Sequence, residues 1–229
     1  EWDVSGVTDM ANTFNNAQKF DQPLAFDTGR VRAMNGMFEG ATSFNQALPF
    51  DTASVTLMNY MFSASAFNQP LAFDTGSVTT VVSMFYGVTD FNQPLDFDVS
   101  SVASMANMLR DALVFNQPLA FDDTGSVTAM NDMFRGALRF NQPLAFNTSS
   151  VTTVASMLNG AQAFDRPLSF DTASVTDMSF VLRGTPFNQQ LPFDTASVTT
   201  MQDVFYGAAS FNQPPALATG RVAPVVPRF

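Results

Sequence analysis

Regularly spaced carboxylates are the residues of this chain that could do chemistry. Their row runs through the sequence as Asp27, Asp51, Asp74, Asp98, Asp122, Asp171 and Asp194. Asn147 takes the place of one member. Carboxylates stacked about 5 Å apart would repel one another unless a cation lay between them, which suggests calcium. The same pattern, Asp followed by Thr-x-Ser, is also typical of a turn whose carboxylate accepts backbone N–H groups. We prefer the turn, because Asn147 serves a turn well and calcium poorly.

Two rows of threonine repeat at the same interval and could present regular hydroxyls to ice. The rows are Thr28, Thr52, Thr75, Thr124, Thr148, Thr172 and Thr195, and Thr8, Thr56, Thr79, Thr128, Thr152, Thr176 and Thr199. They are interrupted by Val99, Arg32 and Ala103. Helix capping and turn formation explain them more simply than ice binding.

A row of side-chain amides follows the same period. Its members are Asn45, Asn68, Asn92, Asn116, Asn141, Asn188 and Asn212, with Asp21 and Asp165 as substitutes. Because buried amides need hydrogen-bond partners, we expect these side chains to bond the backbone of adjacent repeats.

The composition excludes several kinds of function. The chain has no Cys and no His, which excludes thiol chemistry, disulfides, Cys/His zinc sites and histidine triads. No constellation of acid, base and nucleophile is visible, so we expect neither an enzyme nor a cofactor. The net charge of -10 disfavours nucleic acid and anionic membrane surfaces. No apolar run is long enough to insert into a bilayer.

A fixed repeat organises the whole sequence. Its opening phenylalanine recurs at Phe20, Phe44, Phe67, Phe91, Phe115, Phe140, Phe164, Phe187 and Phe211, in steps of 23 to 25 residues. A period in this range predicts a solenoid of stacked coils. We therefore expect one repeat domain over residues 1–213 and an irregular, Pro-rich C-terminal tail over residues 214–229.

Each repeat reads as two short elements. The alternation of residues 71–73, Leu-Ala-Phe, predicts a short strand. The stripe of Val55, Met58, Met61 and Phe62 has helical spacing, and a Gly at the end of most stripes predicts a helix C-cap. These patterns predict the α/β class: a right-handed, leucine-rich-repeat-like solenoid of about nine 24-residue coils, each with a short parallel strand and a short helix.

The variable positions of the predicted helix are candidates for an interaction surface. Exposed Tyr and Arg are favoured contact residues, and the most varied slots of the repeat hold several. The candidates are Tyr60, Tyr86, Arg110, Arg135, Arg183 and Tyr206. The alternative is that these solvent-facing positions vary without functional constraint.

The repeat resembles a known family. The run Phe-Asn-Gln-Pro-Leu…Asp-Thr-x-Ser-Val-Thr-x-Met…Met-Phe-x-Gly-Ala is similar to the tandem repeats of BspA-type bacterial surface proteins, which are leucine-rich-repeat-like modules. Trp2 keeps the Trp that such repeats often have where this chain has Phe. The resemblance implies a cell-surface or extracellular location and an adhesive or ligand-binding role, and it transfers no catalytic residue.

Two functions follow from these patterns. The favoured one is a non-enzymatic scaffold that presents an extended surface to a protein or glycan partner. The alternative is a periodic ligand array, in which the Asp or Thr rows bind calcium or ice. The sequence begins inside a repeat, so we also expect this chain to be a fragment of a longer array.

Overall fold

The fold is a stack of coils built from turns rather than from helices and strands. The computed structural model describes residues 2–121 and 123–214. Over these residues the chain contains no helix, and therefore none that could cross a membrane, and its parallel pairing is limited to isolated bridges. The predicted α/β class, with a strand and a helix in each coil, is wrong. The predicted tail lies outside the described residues beyond Pro214.

Consecutive turns occupy the place of the predicted helix. In the coil that begins at Phe67, the N–H of Met84 donates to the carbonyl of Val81 at 3.2 Å. The N–H of Tyr86 donates in the same way to Ser83 at 3.1 Å. These bonds span three residues, whereas α-helical bonds span four. The apolar spacing that suggested a helix is therefore produced by successive turns.

The remaining donors of this segment bond to the next coil, and this is why a helix does not form. The N–H of Ser83 donates to the carbonyl of Ala106 at 3.0 Å, and that of Phe85 to Met108 at 2.9 Å. Gly87 donates to Arg110 at 2.8 Å. Backbone donors thus alternate between their own coil and the next. A helix of two turns would use its donors internally and would be unstable alone.

The alternation requires left-handed backbone at two positions of each repeat. The first column of positive φ is Asn12, Gly36, Tyr60, Ser83, Asn107, Asp132, Ser156, Phe180 and Asp203. The second is Asn16, Gly40, Ala64, Gly87, Asp111, Gly136, Gly160, Gly184 and Gly207. The glycines correctly indicated left-handed backbone in the second column, but it closes a turn and not a helix. The first column is mostly non-glycine and could not be recognised from residue type.

Parallel pairing follows a line different from the predicted strand. Successive bridges join Asp9, Ala33, Leu57, Thr80, Ser104, Ala129, Thr153, Asp177 and Thr200. This line passes through the segment that was predicted to begin the helix. In the predicted strand, the described residues form only the bridges Leu95–Leu119 and Leu144–Leu168.

Phenylalanine rings fill the core and stack from coil to coil. Phe62 and Phe85 are fully buried, with ring centroids 5.6 Å apart and planes 13° from parallel. Phe85 also stacks at 4.2 Å on Phe91, the opening phenylalanine of the next repeat. Phe91 and Phe115 continue a second column at 5.9 Å. The apolar stripe that contains Phe62 therefore faces the core.

Replacement of a core ring should destabilise the stack strongly. We expect Phe85→Ala to lower the free energy of unfolding by about 3–5 kcal/mol, because it leaves a cavity between coils. Tyr86→Ala is the matched control, since this ring is 36% exposed, and it should cost about 1 kcal/mol or less. Urea unfolding of both variants measures the difference. Equal losses would contradict the assignment of Phe85 to the core.

Replacement of a non-glycine residue that has positive φ by glycine should stabilise the stack. Ala64 is exposed and has a φ of 52° in a column where most coils carry Gly. We expect Ala64→Gly to add about 0.5–1 kcal/mol, because the removed strain exceeds the added flexibility of the unfolded chain. Ala53→Gly is the control, since Ala53 is also exposed but does not have positive φ. That control should be slightly destabilising, and a loss of stability in both variants would refute the strain argument.

Candidate functional site

The row of carboxylates forms turns. Asp74 Oδ1 accepts the N–H of Gly76 at 3.1 Å, and Asn147 Oδ1 accepts the N–H of Ser149 at 3.2 Å. The turn interpretation is confirmed. In the longer repeat Asp123, bonded to the N–H of Gly125 at 2.9 Å, fills the position assigned to Asp122, which lies outside the described residues. Over residues 2–121 and 123–214, acidic side chains do not gather in threes as a metal site would need.

The threonines of the first row are buried, and their hydroxyls bond to the backbone of the next coil. Thr52 is buried, and its hydroxyl donates to the carbonyl of Asp74 in the next coil at 2.9 Å. Thr75 repeats this bond to Asp98 at 2.9 Å. Buried hydroxyls cannot meet an ice surface, so the ice interpretation of this row is wrong.

The second threonine row lies on the outside but is also used between coils. The hydroxyl of Thr79 donates to the carbonyl of Thr56 at 3.1 Å, and Thr152 donates to Thr128 at 3.1 Å. Arg32 and Ala103 interrupt the row. From Thr56 onward, the hydroxyl protons of this row are therefore committed to the preceding coil.

The amide row joins successive coils, as predicted. Asn68 Oδ1 accepts the backbone N–H of Asn92 at 3.0 Å, and Asn92 Oδ1 accepts that of Asn116 at 2.9 Å. Asp21 Oδ1 performs the same task for the N–H of Asn45 at 2.9 Å. The side chain of Gln46 donates to the same oxygen at 2.9 Å. These half-buried side chains are part of the structure rather than a binding site.

The candidate interaction residues form a column. We call Tyr86, Arg110, Arg135, Asn159, Arg183 and Tyr206 the Tyr–Arg column, because they occupy the same position in successive repeats. From Arg110 onward, the backbone carbonyl of each column residue accepts an N–H from the preceding coil. The donor is the residue directly after the column residue of that coil, so that Asp111, which follows Arg110, donates to Arg135 at 2.7 Å. The structure therefore brings five of the six predicted residues together. Tyr60 belongs instead to the adjacent column of left-handed residues, with a φ of 58°.

Aromatic and guanidinium groups of the column contact each other. The Cζ atom of Arg183 lies 4.7 Å from the ring centroid of Tyr206 and 5.6 Å from that of Phe180. The Cζ atom of Arg110 lies 5.3 Å from the ring centroid of Tyr86. Tyr206 is nevertheless 47% exposed. Such cation–π contacts orient the side chains and leave part of the Tyr206 ring exposed to solvent.

Carboxylates balance the charge of the arginines. Arg135 lies 3.2 Å from Asp132 and Arg183 lies 3.6 Å from Asp203. Arg110 Nε lies 3.5 Å from a carboxylate oxygen of Asp111 without meeting hydrogen-bond geometry. The column is therefore polar and aromatic but not a positive patch. This does not favour a polyanionic partner.

The sequence placed Asn107, Asp132 and Phe180 in a second variable position of the repeat, but it did not predict that they position the arginines. Asn107 accepts a hydrogen bond from Arg110 at 3.2 Å, Asp132 one from Arg135 at 3.2 Å, and Phe180 contacts Arg183. Each lies three residues before the arginine that it contacts. This spacing was the available signal, because residues three apart meet across a tight turn as well as along a helix.

The amide row generates a pH-dependent prediction at Asp21. The N–H of Asn45, and then the side chain of Gln46, hold the pKa of Asp21 below its ordinary value of 3.8. A lowered pKa means that the ionised carboxylate stabilises the fold above this value and that the benefit is lost as the pH falls through the folded-state pKa. Asn does not titrate and fills the same position elsewhere. We therefore expect Asp21→Asn to melt like the wild type at pH 7 and to lose less stability below pH 3.8.

Thermal melts from pH 7 to about pH 2 measure this difference, since the folded carboxylate is protonated below its lowered pKa. Asp90→Asn controls for net charge, because Asp90 is exposed and forms no hydrogen bond among the described residues. If the melting temperatures of the wild type and Asp21→Asn fall in parallel with pH, the ionisation of Asp21 does not contribute to the stability of the fold.

The comparisons with known proteins agree with the repeat organisation. A family model described as "Mycoplasma protein of unknown function, DUF285" matches residues 1–95, 71–169 and 144–219. No curated protein and no solved structure matches the chain. The overlapping matches cover nearly the whole chain and support a tandem repeat. The chain therefore belongs to the DUF285 family of unknown function.

Proposed function

We propose that this chain is a non-enzymatic repeat scaffold of a cell-surface protein, and that its Tyr–Arg column binds a protein or glycan partner. The observation that carries the proposal is the exposure of Tyr86 and Tyr206 beside arginines that they orient. Large aromatic and guanidinium side chains dominate the energy of many interfaces. The surface location rests on the resemblance to BspA-type repeats and remains a prediction.

The variable side chains of the column take no part in the core or in the backbone hydrogen bonds between coils. The backbone of Arg110 and Arg183 takes part in the coil-to-coil bonds, while their side chains lie outside the core. Substitution at these positions therefore leaves the scaffold intact. A surface that can vary without loss of the fold suits recognition.

The periodic ligand array is the weaker alternative. Asp74 and Asn147 use a side-chain oxygen to close their turns, and the hydroxyl of Thr75 is committed to the next coil. Calcium prefers six to eight oxygen ligands, and no convergence of three acidic side chains occurs in the part of the chain that the structure describes.

Binding to purified glycans and extracellular proteins, with calcium and with chelator, tests the proposal. We expect a partner whose affinity falls at least about 30-fold in the double variant Tyr206→Ala, Arg183→Ala, which is the loss typical of a central contact. The matched control is Val114→Ala, Arg139→Ala, because it removes an exposed apolar residue and an exposed arginine outside the column. The control should bind within about twofold of the wild type, as expected of positions outside the interface.

Two outcomes contradict the proposal. One is equal affinity of the column variant and the wild type for every partner found. The other is stabilisation by calcium, which at a hundredfold excess over the dissociation constant would add about 2.7 kcal/mol to the free energy of unfolding. Thermal melts in chelator and in calcium separate these outcomes.

A further inference from the structure

Asn147 is the one amide in the row of turn-forming carboxylates. Asn147-Thr148-Ser149 is the one place in the sequence where Asn is followed by a residue other than Pro and then by Ser or Thr. This is the acceptor sequence for N-linked glycosylation. The other coils carry Asp in this position, whose carboxylate cannot accept the glycan.

The turn leaves the amide nitrogen of Asn147 available. The residue is exposed, and its Oδ1 accepts the N–H of Ser149 at 3.2 Å and the hydroxyl of Ser149 at 2.8 Å. No hydrogen bond of Nδ2 occurs within the described residues. A Cβ atom on Gly125 of the preceding coil would lie 3.3 Å from Nδ2, so the glycine there keeps space beside it.

The structural bonds of this turn do not use Nδ2. The backbone carbonyl of Asn147 accepts the hydroxyl of Thr124 at 2.9 Å. Thr148 points inward, is buried, and donates its hydroxyl to the carbonyl of Asp171 at 2.9 Å. A glycan on Nδ2 would therefore leave every one of these bonds in place.

We propose that Asn147 is an acceptor site for an N-linked glycan in a secretion route that supplies a lipid-linked glycan donor and its transferase, an inference that rests on the surface location proposed above. The donor is a glycan joined through its anomeric carbon to a lipid diphosphate. Nδ2 forms a bond to that carbon, the bond from the carbon to the phosphate oxygen breaks, and the lipid diphosphate leaves with the electron pair. Nδ2 loses one proton. The Ser149 hydroxyl donates to Oδ1 and so holds the side-chain amide in one orientation.

The proposed glycan would be attached away from the Tyr–Arg column along the chain. Asn147 precedes Asn159, the column residue of the same repeat, by half a repeat. Glycosylation and recognition by the column are therefore separable, and the unglycosylated chain made in bacteria serves for the binding experiments.

Expression of the full chain behind a secretion signal in eukaryotic cells tests the proposal. Intact mass and peptide mass, before and after an endoglycosidase, report the modification in the secreted and retained fractions. We expect one glycan per wild-type chain, at residue 147. Asn147→Asp, which restores the residue of the other coils, and Ser149→Ala should each abolish it.

A matched pair of variants tests whether this type of turn can be glycosylated at another coil. Asp98 forms the same turn, with Ser100 donating from its N–H at 2.9 Å and from its hydroxyl at 2.7 Å. Asp98→Asn creates the sequence Asn-Val-Ser, and we expect a second glycan. Asp51→Asn creates Asn-Thr-Ala without the hydroxyl and should add none. A wild-type chain without a glycan at residue 147, or a glycan that persists in Asn147→Asp, overturns the proposal, and neither result affects the binding test of the Tyr–Arg column.

Discussion

The alternation of backbone hydrogen bonds is the interaction on which this structure depends. Within the turn segment, donors such as Met84 bond inside their own coil and donors such as Phe85 bond to the next. A helix would keep all of its bonds within the coil, and a strand would direct them all to its neighbours. The alternating pattern forms bonds both within the coil and to the next coil, but it requires residues with positive φ. For a residue such as Tyr60, this conformation costs about 1–2 kcal/mol, and net gains of about 0.5–1.5 kcal/mol for each hydrogen bond offset it.

Outside the turn segment, the rows of Asn, Thr and Asp side chains pair the backbone groups that would otherwise lack a hydrogen-bond partner. Backbone N–H and carbonyl groups near the core must be paired. Asn68 Oδ1 pairs the N–H of Asn92, the Thr75 hydroxyl pairs the carbonyl of Asp98, and Asp74 Oδ1 pairs the N–H of Gly76. Rows that look like ligand arrays in the sequence are therefore hydrogen-bond partners for the backbone. Their regularity follows from the regularity of the coils, and it does not require a periodic ligand.

The sequence was sufficient to predict burial but not secondary structure. Apolar residues at helical spacing, such as Val81, Met84 and Phe85, are all buried as expected. Consecutive turns produce the same spacing, because residues three or four apart share a face in both, so the period alone cannot separate them. The decisive feature is the positive φ of Ser83, and Ser rarely adopts that conformation. The repeat length placed Tyr86 and Arg110 in one column. The contact of Arg183 with Phe180 depends on how tightly the turn closes, which no residue type indicates.

The division between fixed and variable positions connects this architecture to recognition. The residues of the Tyr–Arg column bond to the adjacent coil through their backbone carbonyls, so neither these bonds nor the core depends on the column's side chains. The ring of Tyr206 already holds the guanidinium of Arg183, which lies beside Asp203 as well. A partner that binds there does not have to order a free arginine, and an interface side chain ordered on binding costs about 0.5–1.5 kcal/mol. The same stacking that lets each coil repeat the last therefore also orients in advance the groups that we propose as contacts for a partner.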